Sequence, residues 1–407
     1  MVERALEGIK VADFTWTLVG PIITKHLADY GATVVRVESP LPTGVCPLRV
    51  SIPFKDGKSG INRSGYFAYF NSNKYSMALD LTQPKGIEIA KKLIGWADVV
   101  AENFRPGTME KWGLGYEDIK KLKPDIIMVR SSNQGQTGPY SQVPGLGNHL
   151  NGLIGLVNFT GWPDSEPVNM MLAYTDYICP MLGATAVMAA LDYRRKTGKG
   201  QLLDFSQFEG GVQLFLPAIM DYIVNGREGS GQGNMSPYAA PHAAYRCRGD
   251  DRWCAIAVFS DREWKNLCQV MGNPSWTKEP IFATLSGRKE NEDELNTLIE
   301  QWTINFSAEQ VMSMLQAEGI AAGVVQSPRD IFEDQQLRYR DFFWLLNHRE
   351  IGPFHHLGQV SKLSKTPAQA RMAAPCLGEH TEVVCRELLG MSEEEFDELL
   401  VSGVTGL

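Results

Sequence analysis

The sequence offers no cysteine or histidine pattern of the kind that binds a metal or carries redox chemistry. No two cysteines form a CxxC pair, their number is odd, and several lie inside apolar runs. We therefore expect buried free thiols in a reducing compartment, and no zinc site. The histidines do not cluster either, apart from His355 and His356. The seven cysteines are Cys46, Cys179, Cys247, Cys254, Cys268, Cys376 and Cys385.

Long apolar runs and an excess of positive charge are also missing. The richest apolar window, residues 178–191, is interrupted by Pro180 and Gly183 and is shorter than the roughly 18 residues of a membrane-spanning helix. Lys and Arg number 39 against 47 Asp and Glu, a net charge of -8, which disfavours non-specific binding to nucleic acid. Glu3 and Glu7 leave no room for a secretory apolar segment. We expect a cytoplasmic protein that binds neither nucleic acid nor membranes.

A dinucleotide-binding glycine motif is absent from its expected place. The strand-like residues 9–14 are followed by WTLVGP at 16–21 rather than by GxGxxG. NAD or FAD chemistry is therefore disfavoured.

What the sequence does contain is an alternation of strands and helices over its first half. Residues 9–38 are predicted to form a strand, a helix and a second strand, and residues 75–101 repeat this order around an amphipathic helix at 84–96. A further strand is predicted at 125–129. This alternation favours an α/β domain with a parallel sheet.

Composition shifts suggest where the domains divide. The glycine-rich stretch 225–237 indicates a boundary, and residues 243–259 have the pattern of a hairpin in a smaller α+β unit. Near the end, Ser392 and Glu395 form a capping box for a polar helix, but the segment around them has few core residues. We predict a large domain at 1–225, a small α+β domain at 226–330 and a C-terminal segment at 331–407.

Asp176 is the acidic residue that we single out. It lies between an apolar run and a long, buried helix predicted for residues 176–193. One interpretation is a plain N-cap, since an aspartate accepts hydrogen bonds from the first N–H groups of a helix. The other is a nucleophile, because an aspartate with a reference pKa of about 3.9 is ionised at neutral pH.

Two loops beside predicted strands carry polar and basic side chains. ENFRPG at 102–107 is followed by Lys111 and Trp112, and NSNK at 71–74 precedes another strand. Open α/β sheets bind ligands at strand ends, and backbone N–H groups with Arg or Lys suit phosphates. We expect an anionic ligand in the first domain, with a solvated surface as the alternative.

Two further features each allow two interpretations. The run GSGQG at 229–233 is either a linker or a loop that closes over a ligand, and His149 is either an acid or base or a structural residue. Aromatic residues near these loops would form an aromatic site if they converge. They are Trp16, Trp112, Phe159, Trp162, Tyr174 and Tyr177.

An ordered series of short motifs along nearly the whole chain resembles class III CoA-transferases, the CaiB/BaiF family that includes formyl-CoA and carnitine CoA-transferases. The order of the motifs is specific, although each motif alone is weak. They are LEGIKV at 6–11 with Gly20-Pro21, LADYGA at 27–32 through Glu38, NSNK at 71–74, ENFRPG at 102–107, GQTGPY at 135–140, RKTGKGQ at 195–201, and Ala374-Pro375 with LGEH at 377–380.

The resemblance implies that Asp176 is a nucleophile, and that coenzyme A enters as part of the substrates with no permanently bound cofactor and no metal. In the formyl-CoA branch a glutamine stands at the position of Leu18, so oxalate and formate are not expected as substrates. The CoA contacts implied by the resemblance are Trp16, Thr17, Leu18, Val19, Asn73, Lys74, Asn103, Phe104, Arg105, Lys111 and Trp112.

The resemblance also implies an architecture and a reaction. Family members have a Rossmann-like large domain built from both chain ends, a smaller domain, and two subunits interlocked like links, the partner here being a second copy or a paralogue. CoA would pass from a donor such as succinyl-CoA to a carboxylic acid through an aspartyl-CoA thioester. Backbone N–H groups of the glycine run would stabilise the oxyanions, and its named residues are Gly229, Gly231, Gln232 and Gly233. The aromatic residues favour an aromatic or benzylsuccinate-like acceptor, with carnitine-like acids as the alternative.

Two other functions compete with this one. α-Methylacyl-CoA racemases share the fold and use the corresponding aspartate opposite a histidine that directly follows a glycine; this chain has Asn148 there, with His149 displaced by one position. A racemase or epimerase is therefore the runner-up. A non-catalytic subunit of a hetero-oligomer is the third alternative, which the presence of Asp176 and the CoA-loop residues disfavours.

Overall fold

The computed structural model describes residues 4–406, which form two compact units. Within that range the first unit comprises residues up to 156, 169–228 and those from 338 onwards, and the second comprises 157–168 and 229–337. The sequence predicted residues 157–168 as part of the large domain, but in the structure they belong to the second unit. They contact the glycine run at 229–233, where Gly233 N donates a hydrogen bond to Gly161 O at 2.8 Å.

A six-stranded parallel sheet forms the centre of the first unit, in the strand order β3-β2-β1-β4-β5-β6. Its strands are β1 Lys10–Asp13, β2 Thr33–Glu38, β3 Lys74–Ala78, β4 Val99–Glu102, β5 Ile127–Ser132 and β6 Gln201–Ser206. This is the order of Rossmann folds, and it confirms the predicted parallel α/β class. The order reverses between β1 and β4, so the carboxyl ends of these two strands open a crevice.

Helices alternate with these strands or follow them, and two apolar clusters join some of the helices to the two faces of the sheet. They are α1 Val19–Asp29, α2 Gly65–Phe70, α3 Pro84–Trp96, α4 Thr108–Lys111, α5 Tyr116–Leu122, α6 Gly147–Leu153, α7 Leu156–Phe159 at the unit boundary, α8 Tyr174–Thr197, α9 Gln207–Leu214 and α10 Leu216–Asn225. The predicted helix 84–96 has the same bounds as α3, because its apolar spacing brings Ile89 and Leu93 into the core, where both are fully buried.

Helix α8 is less buried than the sequence predicts. One face packs closely on α1, where a Cβ at Gly183 would meet Ile23 Cδ1 at 2.6 Å. The opposite face leaves Met181, Leu182 and Met188 more than 40% exposed, so the expectation of a fully buried helix is wrong for the single chain. Over residues 4–406, no helix combines the length and apolarity needed to cross a bilayer.

The second unit has its own core and its own sheet. The predicted hairpin is present, and a third strand pairs with it antiparallel. Leu267, Ile299 and Leu315 are fully buried in its core. The elements are β7 His242–Arg246, β8 Trp253–Ala257, α11 Asp261–Val270, α12 Leu285–Glu290, α13 Glu292–Thr303, α14 Ala308–Ala317, β9 Ala321–Val324, α15 Pro328–Glu333, and α16 Gln335–Tyr339 across the unit boundary.

The C-terminal segment completes the core of the first unit. It contains β10 Phe343–His348, β11 Gly352–Leu357, α17 Thr381–Val383 and α18 Glu393–Val401. Phe396 and Leu399 on α18 lie in one apolar cluster with Leu93 of α3 and Met128 of β5. The predicted capping box at Ser392 starts α18, since its hydroxyl accepts a hydrogen bond from Glu395 N at 3.2 Å. All seven cysteines are buried and free, as expected.

A buried carboxylate fastens this returning segment to the sheet. Asp29 at the end of α1 accepts hydrogen bonds from Lys25 Nζ at 2.5 Å, Asn73 Nδ2 at 2.6 Å and Gln359 Nε2 at 2.6 Å. Asn73 in turn accepts, at its Oδ1, the backbone N–H groups of residues 371 and 372 at 2.8 and 3.0 Å. The hydrogen bonds to the Asp29 carboxylate are charge-assisted and therefore stronger than neutral ones. Together with the bonds to Asn73, they fix the C-terminal segment in place beside α1 and β3.

We expect Leu399→Ala to lower the free energy of unfolding by about 2–5 kcal/mol, because it opens a cavity in the core shared by α18 and the sheet. The control is Leu400→Ala, the next residue on the same helix, which is 38% exposed and should cost about 1 kcal/mol or less. Urea denaturation of both variants measures the difference. Equal losses would mean that α18 does not contribute to this core.

Candidate active site

A cavity of about 250 Å³ lies at the carboxyl ends of the parallel strands. Thr17 follows β1, Asn103 and Arg105 follow β4, and Asp176 and Gln207 complete its wall. The crevice between β1 and β4 is the place where open α/β sheets bind ligands. The structure therefore brings the singled-out aspartate together with the predicted loop after β4.

Reciprocal hydrogen bonds hold the two loops together across the crevice. Asn103 Oδ1 accepts a bond from Trp16 N at 2.5 Å, and Asn103 Nδ2 donates to Trp16 O at 2.7 Å. Glu102 at the end of β4 accepts the N–H of Phe104 at 2.7 Å and pairs with Arg130 on the neighbouring strand β5 at 2.5 Å. These bonds fix the backbone of both loops before a ligand arrives.

The loop after β1 also depends on a buried ion pair beneath it. Asp13 accepts hydrogen bonds from Thr15 N at 2.9 Å, Thr24 Oγ1 at 2.6 Å and Lys74 Nζ at 3.2 Å. Burial by itself would raise the pKa of Asp13, but Lys74 and Arg36 hold it below its usual value. Burial lowers the pKa of Lys74 to about 8, against the opposing effect of Asp13. The two charges stabilise each other away from solvent.

Asp176 is not an N-cap. Helix α8 begins at Tyr174 with Ala173 as its N-cap, and no side chain caps it. Asp176 is the third residue of α8, in its first turn, and its Oδ1 accepts a hydrogen bond from Gln207 Nε2 at 2.7 Å. Burial raises the pKa of Asp176 to about 6, although the bond from Gln207 acts in the opposite direction. Pro180 lacks the N–H group that would bond the Asp176 carbonyl, which loosens the helix at this turn.

Three glycines allow the close approach of backbone to the carboxylate. A Cβ at Gly147 would meet Cγ and Oδ1 of Asp176 at 2.6 Å each. On α9, a Cβ at Gly210 would meet Cys179 Sγ at 2.9 Å, and one at Gly211 would meet Thr175 Cγ2 at 2.9 Å. Glycine is therefore required for α6 to touch Asp176 and for α9 to bring Gln207 to it.

Two serine hydroxyls on the cavity wall have no hydrogen-bond partner in the part of the chain that the structure describes. They belong to Ser131 and Ser132 at the end of β5, and both residues are buried. Buried polar groups in folded proteins are almost always hydrogen-bonded, so two unpartnered hydroxyls side by side are an exception. Among residues 4–406, no group of three or more metal-ligating side chains was found.

Several predicted CoA contacts lie outside this cavity. Lys74 Nζ uses all three of its N–H groups on Asp13, Asn71 Oδ1 and Pro21 O, so its side chain has no donor left for a phosphate. Asn73 is engaged by Asp29 and the C-terminal segment, as described above. Contact of CoA with these two side chains would need a different conformation.

The remaining predicted contacts divide between core and surface. Leu18 is buried in an apolar cluster against which Trp16 and Tyr177 pack, and Lys111 is exposed at the end of α4. Trp112 packs edge-on against Phe104 with ring centroids 5.3 Å apart. Thr17, Val19, Asn103, Phe104 and Arg105 lie on the cavity wall, and Trp16 is joined to it through Asn103.

Trp16 and Tyr177 pack against the same apolar cluster of the first unit, and each makes a further aromatic contact. Trp16 contacts Phe104, with ring centroids 6.2 Å apart, while the Tyr177 hydroxyl lies 2.6 Å from that of Tyr66. Phe159 and Trp162 belong to the second unit, where Gly231 and Gly233 pack directly on residues 161 and 162. The role predicted for the glycine run at the active site stays a prediction.

His149 does not lie on the cavity wall. Its Nδ1 accepts a hydrogen bond from the backbone N–H of Leu146 at 3.2 Å, which favours the structural interpretation over an acid or base.

Sequence reasoning missed Gln207, Gly147 and the serine pair. A signal for Gln207 was present: Ser206 ends a strand and caps a helix, and Gly210 and Gly211 follow within one turn. That pattern indicates a helix start packed closely on another element, but it does not tell which side chain it meets. The contact with Asp176 spans 31 residues of chain and exists only in the tertiary structure.

Known proteins are similar to this chain over nearly its whole length. The family model described as CoA-transferase family III matches residues 6–381. The succinyl-CoA--D-citramalate CoA-transferase of Chloroflexus aurantiacus is 33% identical over 96% of this chain and 96% of its own. The beta subunit of succinyl-CoA--L-malate CoA-transferase from the same organism is 31% identical over 97% and 96%. The succinyl-CoA:glutarate CoA-transferase of Mus musculus is 29% identical over 98% and 90%.

A solved structure shares the fold. The crystal structure of a CAIB/BAIF family protein from Brucella suis superimposes with a TM-score of 0.87, at 29% identity, over 95% of this chain and 99% of that protein.

We expect Gly147→Ala to lower the rate of CoA transfer by about 10²-fold, because the added Cβ displaces the Asp176 carboxylate, and displacements near 1 Å cost about that much. Gly152→Ala on the same helix is the matched control, since a Cβ there meets nothing within 4 Å. Initial rates and circular dichroism of both variants measure the effect. Full activity of the Gly147 variant would show that α6 does not constrain the carboxylate.

Proposed function

The chain belongs to CoA-transferase family III, and we propose that it moves CoA from succinyl-CoA to a carboxylic acid through a covalent aspartyl-CoA thioester on Asp176. The observation that supports this most is the position of Asp176, which is partly buried on the wall of the cavity at the crevice between β1 and β4. Within residues 4–406, only one of its two oxygens accepts a hydrogen bond from protein. The other oxygen is available for attack on an acyl group.

The proposed reaction has four steps. The Asp176 carboxylate attacks the donor thioester, which gives a mixed anhydride and releases CoA thiolate. The thiolate then attacks the aspartyl carbonyl, so that the donor acid leaves and aspartyl-CoA forms. The acceptor carboxylate opens this thioester to a second anhydride, and CoA thiolate attacks its acyl carbonyl to give the new acyl-CoA and free Asp176. Binding of the long CoA moiety keeps the thiolate beside the anhydride between steps.

The walls of the cavity suit such a ligand. Arg105 lines the cavity and is exposed, so it supplies positive charge for the phosphates of CoA. We assign CoA binding to Thr17, Asn103, Phe104 and Arg105, as the family resemblance implied. Lys111 and Trp112 are the next candidates along the same surface.

The donor and acceptor follow from the relatives and from the site. The names of three relatives give succinyl-CoA as donor, with D-citramalate, L-malate or glutarate as acceptor, all of them dicarboxylic acids. We therefore propose a dicarboxylic acceptor. Trp16 and Tyr177, which pack against one cluster, favour an acceptor with an aromatic substituent, such as a benzylsuccinate-like acid.

A dimer is the proposed working form. Helices α8 and α10 both expose apolar side chains that a single chain leaves in water, which marks an interaction surface. We assign this surface to a second copy of the chain, interlocked as the family resemblance implies. Two relatives are named as alpha and beta subunits, so a paralogous partner is the alternative.

Incubation with succinyl-CoA should add the mass of CoA, less water, to the peptide that carries Asp176, and Asp176→Ala and Asp176→Asn should abolish both the adduct and transfer. Because the nucleophile is the ionised carboxylate and its pKa is about 6, kcat/KM should fall about tenfold per pH unit below that value and level off above it. Transfer by either variant would refute the covalent role. Solvent deuterium exchange at the α-carbon without an adduct would instead support the racemase.

Light scattering should show a dimer in solution. The double variant Ile223→Asp with Val224→Asp, two positions 68 and 69% exposed, should shift the protein towards monomer because it places charge in the proposed interface. Val401→Asp, 90% exposed on α18, is the control and should leave the mass unchanged. A wild-type monomer at micromolar concentration would contradict the proposed surface.

A further inference from the structure

Gln207 makes the two oxygens of Asp176 different from each other. Its Nε2 donates a hydrogen bond to Oδ1 at 2.7 Å, and no protein group in the described residues donates to Oδ2. Gln207 is buried and lies on the cavity wall at the start of α9. The helix that carries Gln207 is fixed in two ways. Gly210 and Gly211 let α9 pack against α8, and the Ser206 hydroxyl caps α9 by accepting a hydrogen bond from Glu209 N at 3.2 Å.

We infer that Gln207 is the oxyanion donor for attack at Cγ of Asp176, and that it assigns Oδ2 as the nucleophile and retains Oδ1 on the enzyme throughout catalysis. This inference rests on the proposed covalent function of Asp176. It adds Gln207 as a catalytic residue and gives each oxygen of the Asp176 carboxylate a single role in every cycle.

The bonds formed and broken give each oxygen a separate fate. Oδ2 attacks the acyl carbon of succinyl-CoA, the C–S bond breaks, and CoA leaves as thiolate. The thiolate then attacks Cγ, so the electron pair of the Cγ=Oδ1 bond moves onto Oδ1, and the Gln207 N–H group stabilises that negative charge. When the carbonyl re-forms, the bond between Cγ and Oδ2 breaks and Oδ2 leaves as a carboxylate oxygen of succinate.

The return half of the reaction refills the same position. A carboxylate oxygen of the incoming acid attacks Cγ of aspartyl-CoA, Oδ1 again carries the negative charge, and CoA thiolate is expelled. When the thiolate removes the acyl group, the oxygen donated by the acid remains on Cγ as the new Oδ2. One oxygen of Asp176 is therefore exchanged in every cycle, while the oxygen bonded to Gln207 is never exchanged.

The test is isotopic and needs only succinyl-CoA and labelled succinate, with no other acceptor acid. Full-length wild-type protein is incubated with succinyl-CoA and excess succinate carrying oxygen-18 in its carboxylates, quenched, and digested, and the mass of the peptide that contains Asp176 is recorded over time. We expect this peptide to gain one heavy oxygen and then to stop. A gain of two heavy oxygens on the same timescale shows that the carboxylate rotates between cycles, so that its two oxygens exchange places. That result overturns the inference but leaves covalent catalysis intact.

A variant without the donor should behave differently in the same assay. Gln207→Leu keeps a side chain of similar shape but has no N–H group, so we expect two heavy oxygens and a kcat lowered by about 10²–10³-fold, with KM for succinyl-CoA nearly unchanged. Gln213→Leu, on the exposed side of the same helix, is the matched control and should exchange one oxygen at the wild-type rate. A merely structural role would change the folded fraction but not the number of oxygens exchanged.

The outcomes separate this inference from the function on which it rests. If no heavy oxygen enters and no CoA adduct forms, the proposed function fails and the inference fails with it. If Gln207→Leu folds, exchanges a single oxygen and keeps wild-type kcat, the covalent function stands and Gln207 is not the oxyanion donor. The wild-type measurement decides the oxygen assignment even if the variant does not fold.

Discussion

The site depends on a carboxylate that has no access to solvent. Asp13 ends the first strand and binds three elements at once: the loop through Thr15 N, helix α1 through Thr24, and strand β3 through Lys74. Removing one partner from such a buried pair leaves an uncompensated charge, which costs about 3–5 kcal/mol. The loop that reaches the cavity at Thr17 is therefore held by the charge beneath it.

Close backbone contacts position Asp176, as this ion pair positions the loop after β1. Gly147 lies against the Asp176 carboxylate, while Gly210 and Gly211 bring α9 against α8 so that Gln207 reaches Oδ1. Each contact excludes even a methyl group. The Asp176 carboxylate is thus confined by the packing of three helices, with Gln207 as its hydrogen-bond donor.

Local signals predicted local structure well. The apolar spacing of residues 84–96 gave the bounds of α3, and Ser392 with Glu395 gave the start of α18, because both depend on side chains within one or two turns. The burial of a whole helix and the partners of a buried side chain depend on distant neighbours, which local patterns do not report. Helix α8 leaves one apolar face in water, and Lys74, expected at a ligand, has its three donors bound within the protein.

The sequence by itself determined the α/β class, the parallel sheet, the family resemblance and Asp176 as the residue of interest. These conclusions depend on strand and helix periodicity and on short motifs, which involve residues close together in the chain. Only the tertiary structure decided which residues meet that aspartate. Ala173 is the N-cap of α8, and Gln207 donates the hydrogen bond to Asp176. The hydroxyls of Ser131 and Ser132, on the cavity wall, have no partner in the described residues. The physical reason is that these contacts join elements far apart in the chain, and the close approach that glycine permits fixes them only when the helices pack.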